Sequence, residues 1–177
     1  MAGWRIQKMK ISINNNQTVC RLNLSEIRKL VRNLMARLTA CSRAEQPAEL
    51  SLVLTDDIGI SRINREYLNR TGPTDVICFK YDPLPGEDNS VGGEIIVNVE
   101  RALVEGRARG SVARELALYL AHGCDHLAGE SDVTKAGYMR MRRRESRWLR
   151  DADRLGMIVG LLRPVQRRKG QRQCSRR

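Results

Sequence analysis

The sequence predicts an α+β fold, and three observations predict it. Four short stretches with period-two or β-branched apolar patterns lie in the first hundred residues, where strands are expected. Helical periodicity dominates from Ser111 onward. Helical segments also fall between the early strands, so the sheet contains crossovers. The chain has 177 residues, enough for one domain with a real core.

Taken in order, Lys10-Ile11-Ser12-Ile13 alternates as a half-buried strand does, and Asn14-Asn15-Asn16 is expected to end it. Ser25 is expected to cap a helix whose apolar face is Ile27, Leu30, Val31, Leu34 and Leu38. The pattern lapses into a loop from Cys41 to Pro47. Glu49 to Thr55 alternates again, with Leu50, Leu52 and Leu54 on one face. Asp56 or Asp57 caps a short helix presenting Ile60, Ile63 and Tyr67, and Gly72-Pro73 closes that section. Asp75–Phe79 and Gly93–Val99 are β-branched strand runs, joined by a proline-bearing surface loop from Tyr81 to Gly92. From Ser111 one helix runs to about Ala128 and stops at Gly129; a long helix follows from about Val133 to Leu155. That last helix carries Arg140, Arg142, Arg143, Arg144, Arg147 and Arg150 as a solvated face, with Met139, Trp148 and Leu149 as core contacts.

Charge narrows the partners. A net charge of +12 favours polyanions. Residues 163–177 contribute seven basic side chains and no acid, and read as a disordered basic tail to a domain spanning 1–162. Aromatic residues are only 4%, so phosphate-directed contact is expected rather than base stacking. No apolar run approaches the ~20 residues of a membrane span, and the N-terminus lacks a secretory apolar core. Five scattered cysteines without a CxxC pair suggest reduced thiols and a cytoplasmic location.

One constellation carries chemistry. The two histidines of the chain, His122 and His126, are four apart, so on a helix they share a face and can converge on one ion. A glycine stop at Gly129 lets the chain turn back, which makes Glu130 and Asp132 both candidates for a third ligand. Cys124 lies on another face of the helix. Three protein ligands leave an open position, the catalytic arrangement, in which an ion lowers the pKa of water and stabilises phosphoryl or carbonyl charge. A zinc protease is excluded because Gly123 stands where its general-base Glu must follow the first His. Two imidazoles and a carboxylate also suit Fe(II).

The run His122-Gly-Cys-Asp-His126-Leu-Ala-Gly129-Glu-Ser-Asp132 resembles the His-Gly-x-x-His-Leu-x-Gly-x-x-His/Asp signature of the YbeY family, metallo-endoribonucleases of rRNA maturation. Glu49–Asp57, Ile63–Tyr67, Pro73–Val76 with Phe79, and Gly92–Ile96 match that family's other blocks in order. The resemblance implies a small mixed sheet of about four strands packed with about five helices, and a metal site at the end of a central helix. It further implies a zinc ion on His122, His126 and Asp132, with catalysis dependent on His122. The substrate implied is single-stranded RNA, in maturation of the small-subunit rRNA 3′ end and in ribosome quality control. Arg65, Arg70 and Arg114 are candidates for phosphate contact. Three positions depart from the family pattern: Asp132 where His is frequent, Leu68 where many members carry an arginine, and Cys78 in place of a serine. The competing reading is a non-catalytic rRNA- or ribosome-binding assembly factor with a structural metal.

Overall fold

The computed structural model describes residues 9–41, 47–81 and 92–163. Its elements are β1 (Lys10–Asn15), α1 (Leu24–Cys41), β2 (Glu49–Thr55), α2 (Asp57–Leu68), β3 (Val76–Tyr81), β4 (Gly92–Asn98), α3 (Val99–Ala108), α4 (Val112–Leu127) and α5 (Lys135–Arg154). The four strands form a mixed sheet in the order β1-β2-β4-β3. β1, β2 and β4 are parallel, and β3 runs antiparallel to β4 with Ile77 opposite Ile96. The expected α+β class therefore holds, with the sheet and the number of helices as anticipated.

Alternation along the strands sorts side chains between two cores. Leu50, Leu52, Leu54, Ile95 and Val97 face the larger one, which they share with Ile27, Leu30, Leu34 and Leu38 of α1 and with Leu116, Leu120 and Cys124 of α4. Val53, Ile77 and Ile96 face the other side, against Ile60 and Ile63 of α2. α4 is the central helix, packed against the sheet, α1, α3 and α5. Glycine makes two of these approaches possible. A Cβ on Gly123 would stand 2.6 Å from Ile95 Cγ2, and one on Gly106 would stand 2.5 Å from the Val112 backbone.

Several details differ from expectation. Asn14 and Asn15 extend β1 because they pair with Val53 and Leu54 of β2, which outweighs their turn preference. Ser25 lies inside the first turn of α1, where its hydroxyl donates to Asn23 Oδ1, and the helix continues to Cys41. Of the two acids offered as the α2 cap, Asp56 serves: it accepts from the Gly59 N–H at 2.8 Å. Tyr67 is mostly exposed, its ring set edge-on to Phe79 at 5.7 Å. α3 has no counterpart in the sequence reading; its buried positions are Val99, Ala102 and Gly106, too small to print an apolar stripe. On α5, Met139 is exposed while Trp148 and Leu149 are buried, and Arg144 turns inward rather than to solvent. Residues 164–177 of the expected basic tail, and most of the loop between β3 and β4, lie outside the described residues.

Candidate metal centre

The local folding of α4 sets the site. Ser111 caps its start, accepting from the Arg114 N–H, and Gly129 (φ 89°) takes the left-handed conformation just past its end. The Gly129 N–H donates to the His126 carbonyl at 2.9 Å and the Glu130 N–H to the Asp125 carbonyl at 3.1 Å. This paired closure of the last turn reverses the chain. Asp132 is carried back toward the histidines as a result.

Ligand atoms of His122, His126 and Asp132 lie within 4.8 Å of one another. The two Nε2 atoms are 3.0 Å apart, and the Asp132 oxygens stand 3.7 Å from His122 Nε2 and 3.9 Å from His126 Nε2. These spacings bracket the ~3.3–3.6 Å between ligands that each sit ~2.0–2.2 Å from one ion. The other ring nitrogens are occupied. His126 Nδ1 lies 3.1 Å from the Glu130 carbonyl oxygen, which can only accept, so Nδ1 carries the proton and Nε2 a lone pair. His122 Nδ1 lies 2.6 Å from Glu145 Oε1. Donation to that carboxylate leaves the second Nε2 lone pair facing the first, an arrangement that a cation or a proton must bridge. The donor set fits a divalent metal ion.

Glu145 reaches the site from α5 and is buried, and among the described residues its Oε2 has no hydrogen-bond partner. Burial is the largest influence on His122 and disfavours its charged form. The Glu145 hydrogen bond and charge, with Asp75 and Asp132, outweigh it and raise the His122 pKa above the ordinary imidazole value. Behind His126, Arg144 Nε donates to Asp125 at 2.9 and 3.2 Å while its Nη1 donates to Glu130 Oε1 at 2.9 Å. Arg144 thereby pins the returning segment to α4. Burial pushes the Asp125 carboxyl up to about 6, an effect Arg144 only partly offsets. The Glu130 carboxylate is committed to Arg144, so only its backbone carbonyl touches the histidines. Cys78 donates to the Gly123 carbonyl at 3.3 Å, and burial, then Asp75, pushes its thiol up to about 12. Cys124 is fully buried and likewise raised by burial, so neither thiol serves as a thiolate ligand at neutral pH.

The remaining sequence candidates fall in different places. Arg70 lines a cleft beside His126, together with Leu68 and Cys78. Arg65 is exposed on α2, and Arg114 in the first turn of α4 pairs with Asp153 at 3.5 Å. Neither lines a cleft next to the histidines. Sequence reasoning missed Glu145, Asp125 and Arg144. Glu145 had a legible signal: it is the only acid between Arg140 and Arg150, and it falls on the buried stripe of Met141, Trp148, Leu149 and Ala152.

Fold and site together define an α+β protein with a two-histidine, one-carboxylate cluster at the end of its central helix that could hold a metal ion. Comparisons with known proteins are specific. A family model described as Endoribonuclease YbeY matches residues 12–153. The endoribonuclease YbeY of Moorella thermoacetica is 36% identical over 147 residues, covering 77% of this chain and 93% of that one. That of Geobacter metallireducens is 32% identical over 144 residues, covering 78% and 91%. A solution structure of a Thermotoga maritima protein shares the fold, with a TM-score of 0.51 and 20% identity over 82% of this chain and 93% of that one. The chain belongs to the YbeY endoribonuclease family.

Proposed function

We propose that this chain is a cytoplasmic, metal-dependent endoribonuclease of single-stranded RNA, acting in maturation of the small-subunit rRNA 3′ end and in ribosome quality control. The observation that carries the reading is the convergence of His122, His126 and Asp132 with both imidazole Nδ1 atoms already engaged. A zinc ion is the group this donor set favours, since imidazole and carboxylate at a helix end leave a position for substrate. When bound, such an ion supplies Lewis acidity, activating water and stabilising charge that develops on phosphoryl oxygens.

The chain's own residues do the rest. The Glu130 carbonyl and the Glu145 carboxylate hold the two imidazoles in the tautomer that presents Nε2, and Glu145 makes His122 the stronger donor. Asp132 contributes an anionic ligand. Clefts open on both sides of the histidine pair, one reaching His122 and one His126, so a strand can cross the centre without ending there. That suits endonucleolytic cleavage. The net charge of +12 supports a polyanionic substrate, and Arg70 is placed to meet a phosphate. No helix among the described residues is long and apolar enough to cross a membrane.

The test is cleavage of a labelled single-stranded RNA by the purified full chain with zinc, with chelator, and with His122→Ala. Cleavage that requires zinc and disappears in the folded variant is expected. Equal cleavage by both proteins refutes the assignment. Restoration of rRNA maturation in cells by a folded, metal-free variant would instead mark a non-catalytic assembly factor. Metal analysis of protein purified without chelators separates zinc from iron.

A further inference from the structure

Two clefts adjoin at the histidine pair, and Thr74 lines both, but their charges are arranged differently. The His122-side cleft, about 420 Å³, is bordered by Arg101, Arg109 and Arg142. Two of these are paired with acids, and Arg101 is held only by a neutral carbonyl among carboxylates that line the same cleft. Arg109 bonds to Glu115 and, at 3.0 Å, to Glu105; Arg101 donates to the Pro73 carbonyl at 3.4 Å; Arg142 stands 3.8 Å from the buried Glu145. Asp75, Glu105, Glu115, Asp132 and Glu145 border the same cleft, so its acids outnumber its arginines. The His126-side cleft, about 340 Å³, contains Arg70 and Lys80 and no carboxylate in its lining. Among the described residues, neither Arg70 nor Lys80 has a side-chain hydrogen bond or ion pair.

This difference decides where a polyanion can lie. A guanidinium already paired with a carboxylate offers a phosphate little, because the existing pair must be broken and the acid left exposed to a like charge. An unpaired arginine and an unpaired lysine in one acid-free cleft have no such cost. Lys80 sits on β3, in the sheet that α4 packs against, and Arg70 on the segment just after α2, where its N–H donates to the Asn64 carbonyl at 3.1 Å.

We propose that the RNA path is electrostatically one-sided: Arg70 and Lys80 hold backbone phosphates in the His126-side cleft, while the His122-side cleft takes uncharged ribose and base. The strand is thereby oriented across the metal centre. Uncharged hydroxyls find acceptors and donors among the acids and the Tyr119 and Tyr138 phenols of the second half of the path. This inference rests on the endoribonuclease reading and assigns the substrate-contacting groups within it.

The experiment is a salt titration of binding, by fluorescence anisotropy, of a short fluorescein-labelled 2′-O-methyl oligouridylate to the zinc-loaded full chain. Each single-strand phosphate contact contributes about 0.7 to the slope of log affinity against log salt. The double variant Arg70→Gln/Lys80→Gln should lower the slope by about 1.4, for two contacts, with zinc content and thermal unfolding unchanged. Arg101→Gln, on the other side, should leave the slope as it is. A wild-type protein that cleaves and binds RNA while the double variant keeps the full slope overturns the one-sided path and leaves the nuclease reading standing. A slope lowered by Arg101→Gln alone also overturns it. A wild-type protein that neither binds nor cleaves RNA overturns the nuclease reading, and this inference with it.

Discussion

Replacing Glu145 by Gln tests whether the carboxylate behind His122 tunes the metal centre or merely fills space. The side chain is 1% exposed and its Oε1 stands 2.6 Å from His122 Nδ1. Gln keeps the shape and one neutral acceptor but removes the charge that makes His122 a strong donor. Loss of such an outer partner typically costs 10–100-fold in metal affinity, or about 1.4–2.7 kcal/mol. Stability of the metal-free protein should move differently. At a pH above the raised His122 value the ring no longer pairs by charge with the buried Glu145, whose Oε2 lacks a hydrogen bond among the described residues, so replacing its charge by a neutral amide relieves desolvation. Zinc titration against a chromogenic chelator, beside thermal unfolding of metal-free protein, separates the two effects. Weaker zinc binding with an unchanged or higher Tm at a pH above the His122 transition is expected. Unchanged zinc affinity with a Tm lowered by several degrees would refute the reasoning and reduce Glu145 to a packing residue.

Other consequences are equally direct. Zinc at 100 times its Kd should stabilise the protein by about 2.7 kcal/mol, and Asp132→Ala should abolish that zinc-dependent rise in Tm; a full rise in the variant would remove Asp132 from the ligand set. Arg144→Met strips the fully buried Asp125 of its partner and frees Glu130, so urea unfolding should show a loss near the lower end of the ~3–5 kcal/mol typical of a broken buried pair. Gly123→Ala drives a methyl to 2.6 Å from Ile95 Cγ2 and should destabilise by about 1–3 kcal/mol in the same assay. Because the His122 pKa is raised, its protonated pairing with Glu145 stabilises metal-free protein at low pH, and this contribution fades as pH rises through the raised value. Zinc binding needs the ring deprotonated, so its affinity should rise over that same interval.

How much of this was legible in the sequence depended on whether the determining contact was local. The His-bearing helix, its glycine stop and the returning acid are written within eleven consecutive residues, and local rules of helix face and left-handed termination suffice to bring them together. β2 and β4 are likewise readable, since alternation with Leu50, Leu52 and Leu54 needs only a buried face. β1 was read short because the pairing of Asn14 and Asn15 depends on a partner strand about forty residues away. α3 escaped because its buried residues are Val, Ala and Gly, chosen for close approach to α4 rather than for hydrophobic mass. Glu145 and Arg144 lie about twenty residues beyond the histidines, inside a run of arginines that reads as solvated. Only the crossing of α5 over α4 turns those two charges inward.

If Asp132 completes the ligand set, its carboxylate would change what the centre can do for an approaching polyanion. With a divalent ion in place, the charges of Asp132 and of Glu145 together cancel it, whereas a histidine at 132 would leave the cluster positive by one unit. A near-neutral centre still polarises a phosphate it touches, but it exerts little pull beyond contact distance. Capture and alignment of the strand must then come from side chains that carry uncompensated charge. The arginines of the His122-side cleft supply little of it, since acids hold Arg109 and Arg142, and the five carboxylates lining that cleft outweigh the charge of Arg101. The exposed arginines of α5, at 140, 143, 147 and 150, can attract RNA at long range. Among the described residues lining the two clefts, Arg70 and Lys80 are the cations with no side-chain hydrogen bond or ion pair, so the proposed path would give substrate alignment and metal chemistry to different residues.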